Sequence, residues 1–235
     1  MNVKLKALSI KSIDYGDNGK LVTLITRERG KITAKAIGCK SIKSPLHIAS
    51  SPFCFGEYIF NEKNGKLSLS GCDVEKFYGE IGEDLDRFYF ASIISETLDK
   101  FCQEGQPDEE ILDLAVNYLN LISNSNQSAI YVISFLLKIL EKEGYEMFFA
   151  WEKEPYLDFI KGGIVEKCDK TQSSVSVSIE MAKLFFDLST QEELEDNLDL
   201  EINTTLVKES LKNLARYVYY VCGHSLYTIK NILAM

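Results

Sequence analysis

From Asp14 to Gly38 the chain reads DYGDNGKLVTLITRERGKITAKAIG, and the spacing of its apolar residues decides the fold of the first third of the protein. In KITAKAIG, Ile32, Ala34 and Ala36 alternate with Lys31, Thr33, Lys35 and Ile37, which is the period of two expected of a half-buried strand. KLVTLITR, Lys20 to Arg27, follows the same rhythm. GDNG and ERG, at Gly16–Gly19 and Glu28–Gly30, supply residues that tolerate positive φ and close successive turns of a meander.

Outward from this stretch the pattern continues. KLKALSIKSI precedes it as another strand, and FCFGEYIFN and GKLSLSGC, joined by the turn-like NEKNG, read as a further hairpin. Five short strands, with the Pro-containing segment Ser41 to Pro52 between the third and fourth, suit a small closed barrel, because closure removes unpaired edges. After Val74 the apolar period becomes 3.6. Helices are predicted over Glu83–Gly105, Pro107–Ser123, Gln127–Glu143, Ile179–Leu188 and Thr204–Val221, the last stopped by Gly223. The segment Trp151–Ser174, WEKEPYLDFIKGGIVEKCDKTQSS, shows no regular period. The fold class is α+β: a five-stranded barrel in 1–76, then an all-α domain in 77–235 with an irregular segment near 148–176.

Charge divides the 235 residues at the same place. The net charge is −9, yet residues 1–76 hold 13 Lys and Arg against 7 Asp and Glu, and residues 77–235 hold 13 against 28. A cationic barrel joined to an acidic helical domain can track a polyanion, with cations on phosphates and aromatic rings under bases. Lys20, Arg27, Arg29, Lys31, Lys35, Lys40 and Lys43 are the candidate phosphate contacts, and Phe53, Phe55 and Tyr58 the candidate stacking platforms.

Other chemistry lacks support. There is no GxxxxGK[ST], GxGxxG or GxSxG motif, and the acids at Asp108–Glu110 and Glu192–Asp196 suit solvated helix starts, so no enzyme activity is expected. The six cysteines, at 39, 54, 72, 102, 168 and 222, include no CxxC pair and read as unbonded thiols of a reducing compartment. His47 and His224 have no ligand-spaced partner. No secretory signal is evident, and the most apolar window, Ala129–Leu140, is too short to cross a bilayer, so a cytoplasmic protein, nucleoid-associated when bound to DNA, is expected.

Ile13–Ser44, then PFCFGEYIF and DLDRFYFASIISETLDKFCQEGQPDEEIL, taken in that order, resemble the RecO family of bacterial recombination mediators. The resemblance implies an N-terminal OB-fold barrel and a C-terminal helical domain. It further implies a non-enzymatic protein that binds single-stranded and duplex DNA, anneals complementary strands, and works with RecR. Its other implied partners are RecA and the acidic, Phe-ended tail of single-stranded DNA-binding protein. For that tail, Lys208, Lys212 and Arg216 on one helix face are the candidate contacts. Many members carry a zinc site of two CxxC pairs. Here the corresponding region keeps only Cys168, with Val165 where an earlier thiolate is expected, so no structural zinc is expected. Trp151, Tyr156, Leu157 and Phe159 are expected to replace its cross-link by packing. A protein-bridging module without DNA contact and an RNA-binding OB protein are the competing readings.

Overall fold

The structure is a computed structural model that describes residues 2–125, 128–166, 173–191 and 203–234. Five strands, β1 (Asn2–Tyr15), β2 (Gly19–Thr26), β3 (Gly30–Ile37), β4 (Cys54–Lys63) and β5 (Lys66–Phe77), close a barrel in the order β1-β2-β3-β5-β4. All neighbouring pairs are antiparallel except β3 with β5, which run parallel through Ala34↔Leu67 and Lys35↔Ser68. The predicted alternation holds: Ile32, Ala34 and Ala36 point inward with Leu5, Ala7, Val22, Leu24, Tyr58 and Phe60, and form one core. Between β3 and β4 the Pro-containing segment winds into a single short helix, α1 (Leu46–Ala49), whose Leu46 and Ala49 join that core. This order and this single parallel closure are those of an OB fold.

Two turns show why their residues are there. Asn64 and Gly65 both have positive φ, 52° and 72°, as a two-residue hairpin loop between paired Lys63 and Lys66 requires. Gly30 has φ +65°, and a Cβ there would lie 2.3 Å from the carbonyl oxygen of Gln106. The β2–β3 turn is therefore packed against the chain that follows α2 (Leu85–Phe101). Lys31 N donates to Gln103 O at 3.1 Å, and Gly105 N to Arg29 O at 3.1 Å.

A 3₁₀ turn at Gly79–Glu83 leads into α2, whose N-cap Asp84 accepts from Arg87 N. α3 (Glu109–Asn124) follows, opened by Asp108, whose carboxylate accepts from Ile111 N at 3.0 Å. The acids at 192–196 lie outside the described residues. The first compact unit of the chain, residues 1–123, comprises the barrel with α2 and α3. The last barrel strand ends at Phe77 and the first α-helix after it begins at Leu85, while the border between compact units falls after Ser123. The second unit contains α4 (Ser128–Lys142), α5 (Ile179–Thr190), α6 (Thr204–Cys222) and α7 (Tyr227–Ala234). α4 is buried on nearly every side, as a helix apolar nearly all round predicts, and α6 ends on left-handed Gly223.

One stretch differs from its sequence reading. Within 148–176 the strands β6 (Phe148–Ala150), β7 (Pro155–Asp158), β8 (Gly163–Glu166) and β9 (Ser174–Ser176) form a small sheet in the order β6-β8-β7-β9. Strands of three or four residues are too short to display an apolar period, which is why the segment reads as irregular. α7 is likewise a finding of the structure.

Candidate nucleic-acid interface

The barrel cations fall into two groups. Arg27, Arg29 and Lys31 stand at the β2–β3 turn, and all three are engaged by carboxylates. Arg27 pairs with Asp113 of α3, Arg29 donates through both guanidinium nitrogens to Glu62 Oε2 at 3.2 Å, and Lys31 reaches Asp99 of α2. Lys11 meets the same Asp99 at 3.2 Å. Burial raises the affinity of the Asp99 carboxyl for its proton, but the two lysines outweigh it and hold the group below the usual carboxylate range. The sequence grouped these three residues with the other cations. Their side chains are instead held by ion pairs, two of which, Arg27 and Lys31, fasten the barrel to helices α3 and α2.

The second group lies on the rim made by the β1–β2 turn and the β3–α1 loop. Lys35 Nζ stands 4.6 Å above the Tyr15 ring and donates to its hydroxyl at 2.9 Å, an arrangement that makes this phenol more acidic than usual. Lys40 pairs with Asp14 at 3.1 Å and donates to Gly16 O. Lys20 lies between Asp14 and Ala36 in register, and Lys43 is exposed on the loop. Lys35 shares an outward face with Ile13, Leu21, Tyr15 and Ile37, placed together by the pairs Ile13↔Leu21, Leu21↔Lys35, Tyr15↔Gly19 and Gly19↔Ile37, whereas Lys20, opposite Asp14 and Ala36, has the other parity. Ile13 is 53%, Tyr15 40% and Ile37 52% exposed. Exposed apolar and aromatic groups flanked by lysines suit a ligand with both flat rings and negative charge.

The proposed stacking residues do not lie there. Tyr58 is 0% exposed, inside the barrel, where its hydroxyl donates to Ala49 O and Cys54 O, both at 3.1 Å. Phe53 is buried too, held at φ 63° with its ring edge-on to Phe88. Phe55 faces outward on another side of the barrel, beneath Lys6, which pairs with Glu75. Tyr15 is the aromatic the sequence reading passed over. Its signal is its position at the mouth of the turn, one residue before Gly16 and four before the β2 glycine.

In the second unit, α6 and α7 enclose a cavity of about 600 Å³ with Phe159 and Ser173. Its walls combine apolar Leu226 and Ile229 with the cations Lys212, Arg216 and Lys230. Arg216 covers the Phe159 ring at 5.4 Å. Lys208 is not among the lining residues, so of the three cations singled out on this helix only Lys212 and Arg216 meet the cavity.

The residues of the small sheet do not suit zinc. Between Gly144 and Ser176 the sequence contains one cysteine, Cys168, which lies outside the described residues, and no histidine. Val165 is buried in β8, paired with Tyr156. Among the described residues no group of three or more His, Cys, Asp or Glu could hold a metal ion. This set does not fit a thiolate zinc site. Of the residues expected to pack in its place, Leu157 and Phe159 are buried, and Trp151 and Tyr156 are half-buried. Of the described cysteines, Cys39, Cys54 and Cys102 are buried and Cys72 and Cys222 partly so, and none of the five is disulfide-bonded.

A small five-stranded OB barrel with a lysine-rimmed, partly aromatic face, followed by a helical unit with its own cationic cavity, defines a class of two-part proteins that join an OB barrel to a helical region. The description "Recombination protein O N terminal" matches residues 1–78, and "Recombination protein O C terminal" matches residues 82–226; the chain belongs to the recombination protein O family. It is 32% identical over 141 residues to the DNA repair protein RecO of Shouchella clausii, covering 60% of this chain and 55% of that protein. To the DNA repair protein RecO of Clostridium novyi it is 30% identical over 178 residues, covering 72% and 70%. To that of Acetivibrio thermocellus it is 22% identical over 229 residues, covering 92% and 90%. The aligned part thus spans little more than half of the Shouchella clausii protein and nearly all of the Acetivibrio thermocellus one. Among the described residues, no helix is long and apolar enough to cross a membrane.

Proposed function

We propose that this chain is a non-enzymatic recombination mediator in DNA repair, which holds single-stranded DNA on the rim of its barrel and promotes annealing. The observation that carries the reading is the contrast between the two groups of cations. Arg27, Arg29 and Lys31 are held by Asp113, Glu62 and Asp99 of other elements, whereas Lys35 stands over Tyr15 on the face that exposes Ile13 and Ile37, with Lys20, Lys40 and Lys43 on the adjoining strand end and loop, Lys40 paired only with the exposed Asp14. Cations displace counterions from phosphates, and a ring such as Tyr15 stacks on a base whatever its identity. Binding through phosphates and ring faces leaves the pairing edges of bases free, so a second strand can test them.

The helical unit serves recruitment in this reading. The cavity between α6 and α7 offers Lys212, Arg216 and Lys230 to carboxylates and an apolar floor to an aromatic side chain, the chemistry of an acidic peptide ending in Phe. The tail of single-stranded DNA-binding protein is the occupant proposed for it, and RecR and RecA are the proposed partners in the pathway. Fluorescence anisotropy with labelled single-stranded DNA at several salt concentrations tests the reading: binding that weakens steeply with salt supports it. Absence of binding at low salt would favour a protein-bridging role, and tighter binding to an RNA oligonucleotide of the same sequence would favour an RNA-binding role.

A further inference from the structure

The turn that leads into β7 is fastened in a way its sequence does not announce. Glu166, the last residue of β8, accepts hydrogen bonds from three successive backbone N–H groups: Glu152 and Lys153 donate to Oε2 at 2.7 and 2.8 Å, and Glu154 donates to Oε1 at 3.0 Å. Consecutive amides that converge in this manner form a concavity selective for an anion, and here the anion is part of the chain. The amides of Lys153, Glu152 and Glu154 hold the Glu166 carboxyl below the usual range.

The opposite end of the β7–β8 hairpin has a second carboxylate. Asp158, only 2% exposed, accepts from Ile160 N at 3.0 Å and Lys161 N at 2.9 Å, while Gly162 N donates to its backbone oxygen. Within the Asp158 turn the hairpin presents Phe159 to the wall of the cavity, against Tyr217 and Tyr220.

We propose that Glu166 fastens the 152–154 turn to β8 in place of a metal, so that two carboxylate clamps build the hairpin a zinc cross-link would otherwise hold. A zinc site needs ligand side chains on both segments it joins, whereas a carboxylate bound to backbone amides asks nothing of the side chains at 152–154. That accounts for a turn composed of Glu152, Lys153 and Glu154 with no thiolate among them. The inference concerns the scaffold and stands or falls independently of DNA binding.

Amide hydrogen exchange on the full chain tests it. In Glu166→Gln, which keeps the shape but loses the charge, exchange at Glu152, Lys153 and Glu154 should accelerate about tenfold or more, the loss expected for hydrogen bonds to a charged acceptor. Trypsin should then cut after Lys153. Glu166→Asp, which keeps the charge but withdraws it, should show a smaller acceleration at the same three amides and serves if the Gln variant does not fold. The unaltered chain should purify with substoichiometric zinc and keep its melting temperature in a strong chelator. Stoichiometric zinc, a chelator-induced drop, or unchanged exchange at those amides in both variants would overturn the proposal.

Discussion

Replacing Gly30 with Ala should destabilise the first unit severely while sparing its DNA affinity. The residue sits at φ +65°, a conformation that costs an L side chain about 1–2 kcal/mol. The added Cβ would also meet Gln106 O at 2.3 Å and Gln103 O at 2.7 Å, both backbone atoms that cannot rotate aside. Relieving the clash means moving the 103–106 segment away, which breaks the bonds from Lys31 N to Gln103 O and from Gly105 N to Arg29 O. At about 1 kcal/mol for each bond, the total cost is about 3–4 kcal/mol. Urea unfolding of the full chain measures it as a fall in the transition midpoint at unchanged slope. Below the transition, single-stranded DNA should bind as it does to the unaltered chain, because the lysine rim lies at the β1–β2 turn and the β3–α1 loop, at the end of β3 opposite Gly30. A loss under about 1 kcal/mol would refute the view that the β2–β3 turn is a packed seam.

Other expectations follow from single side chains. Tyr15→Ala should weaken single-stranded DNA binding about fivefold to a hundredfold, the range for one lost base stack, with unchanged unfolding. Tyr58→Phe should do the reverse, costing about 1–2 kcal/mol through the hydrogen bonds to Ala49 O and Cys54 O and leaving DNA affinity alone. Because Lys11 and Lys31, against the opposing pull of burial, hold Asp99 below its unfolded value, its contribution is present above about pH 4 and disappears as the pH falls through the folded value. Asp99→Asn should therefore lower the stability to urea at about pH 6 by about 1 kcal/mol, for a pair that is only partly exposed, and by progressively less as the pH falls below about 4. Arg216→Ala should abolish binding of an acidic, Phe-ended peptide to the α6–α7 cavity in a calorimetric titration while leaving DNA binding intact.

The barrel was legible because its strands are long enough to show their parity: Ile32, Ala34 and Ala36 announce an inward face by alternation alone. The helices were legible for the same reason at a different period, and Gly223, in the left-handed conformation that glycine favours, marks the end of α6. What the sequence withheld is long-range. Arg27 and its partner Asp113 are 86 positions apart, and Lys31 and Asp99 68, so no local pattern reveals that these cations are already neutralised. Aromatic parity in FCFGEYIFN was ambiguous because Phe occurs at both odd and even positions, and pairing with β1 and β5 turns Tyr58 inward. Short elements, α1 and the strands β6 to β9, carry too few residues for a period. Their shape depends on contacts such as the three amides on Glu166.

The most direct measurement is the dependence of single-stranded DNA affinity on salt in two sets of variants. With four phosphates neutralised by Lys20, Lys35, Lys40 and Lys43, the logarithmic slope should be about −3, and about −5 if all seven barrel cations took part. Replacing the four rim lysines with Ala should bring the slope close to zero, whereas replacing Arg27 and Lys31 should leave it near about −3. A slope that survives loss of the rim, or collapses on loss of Arg27 and Lys31, would contradict the account.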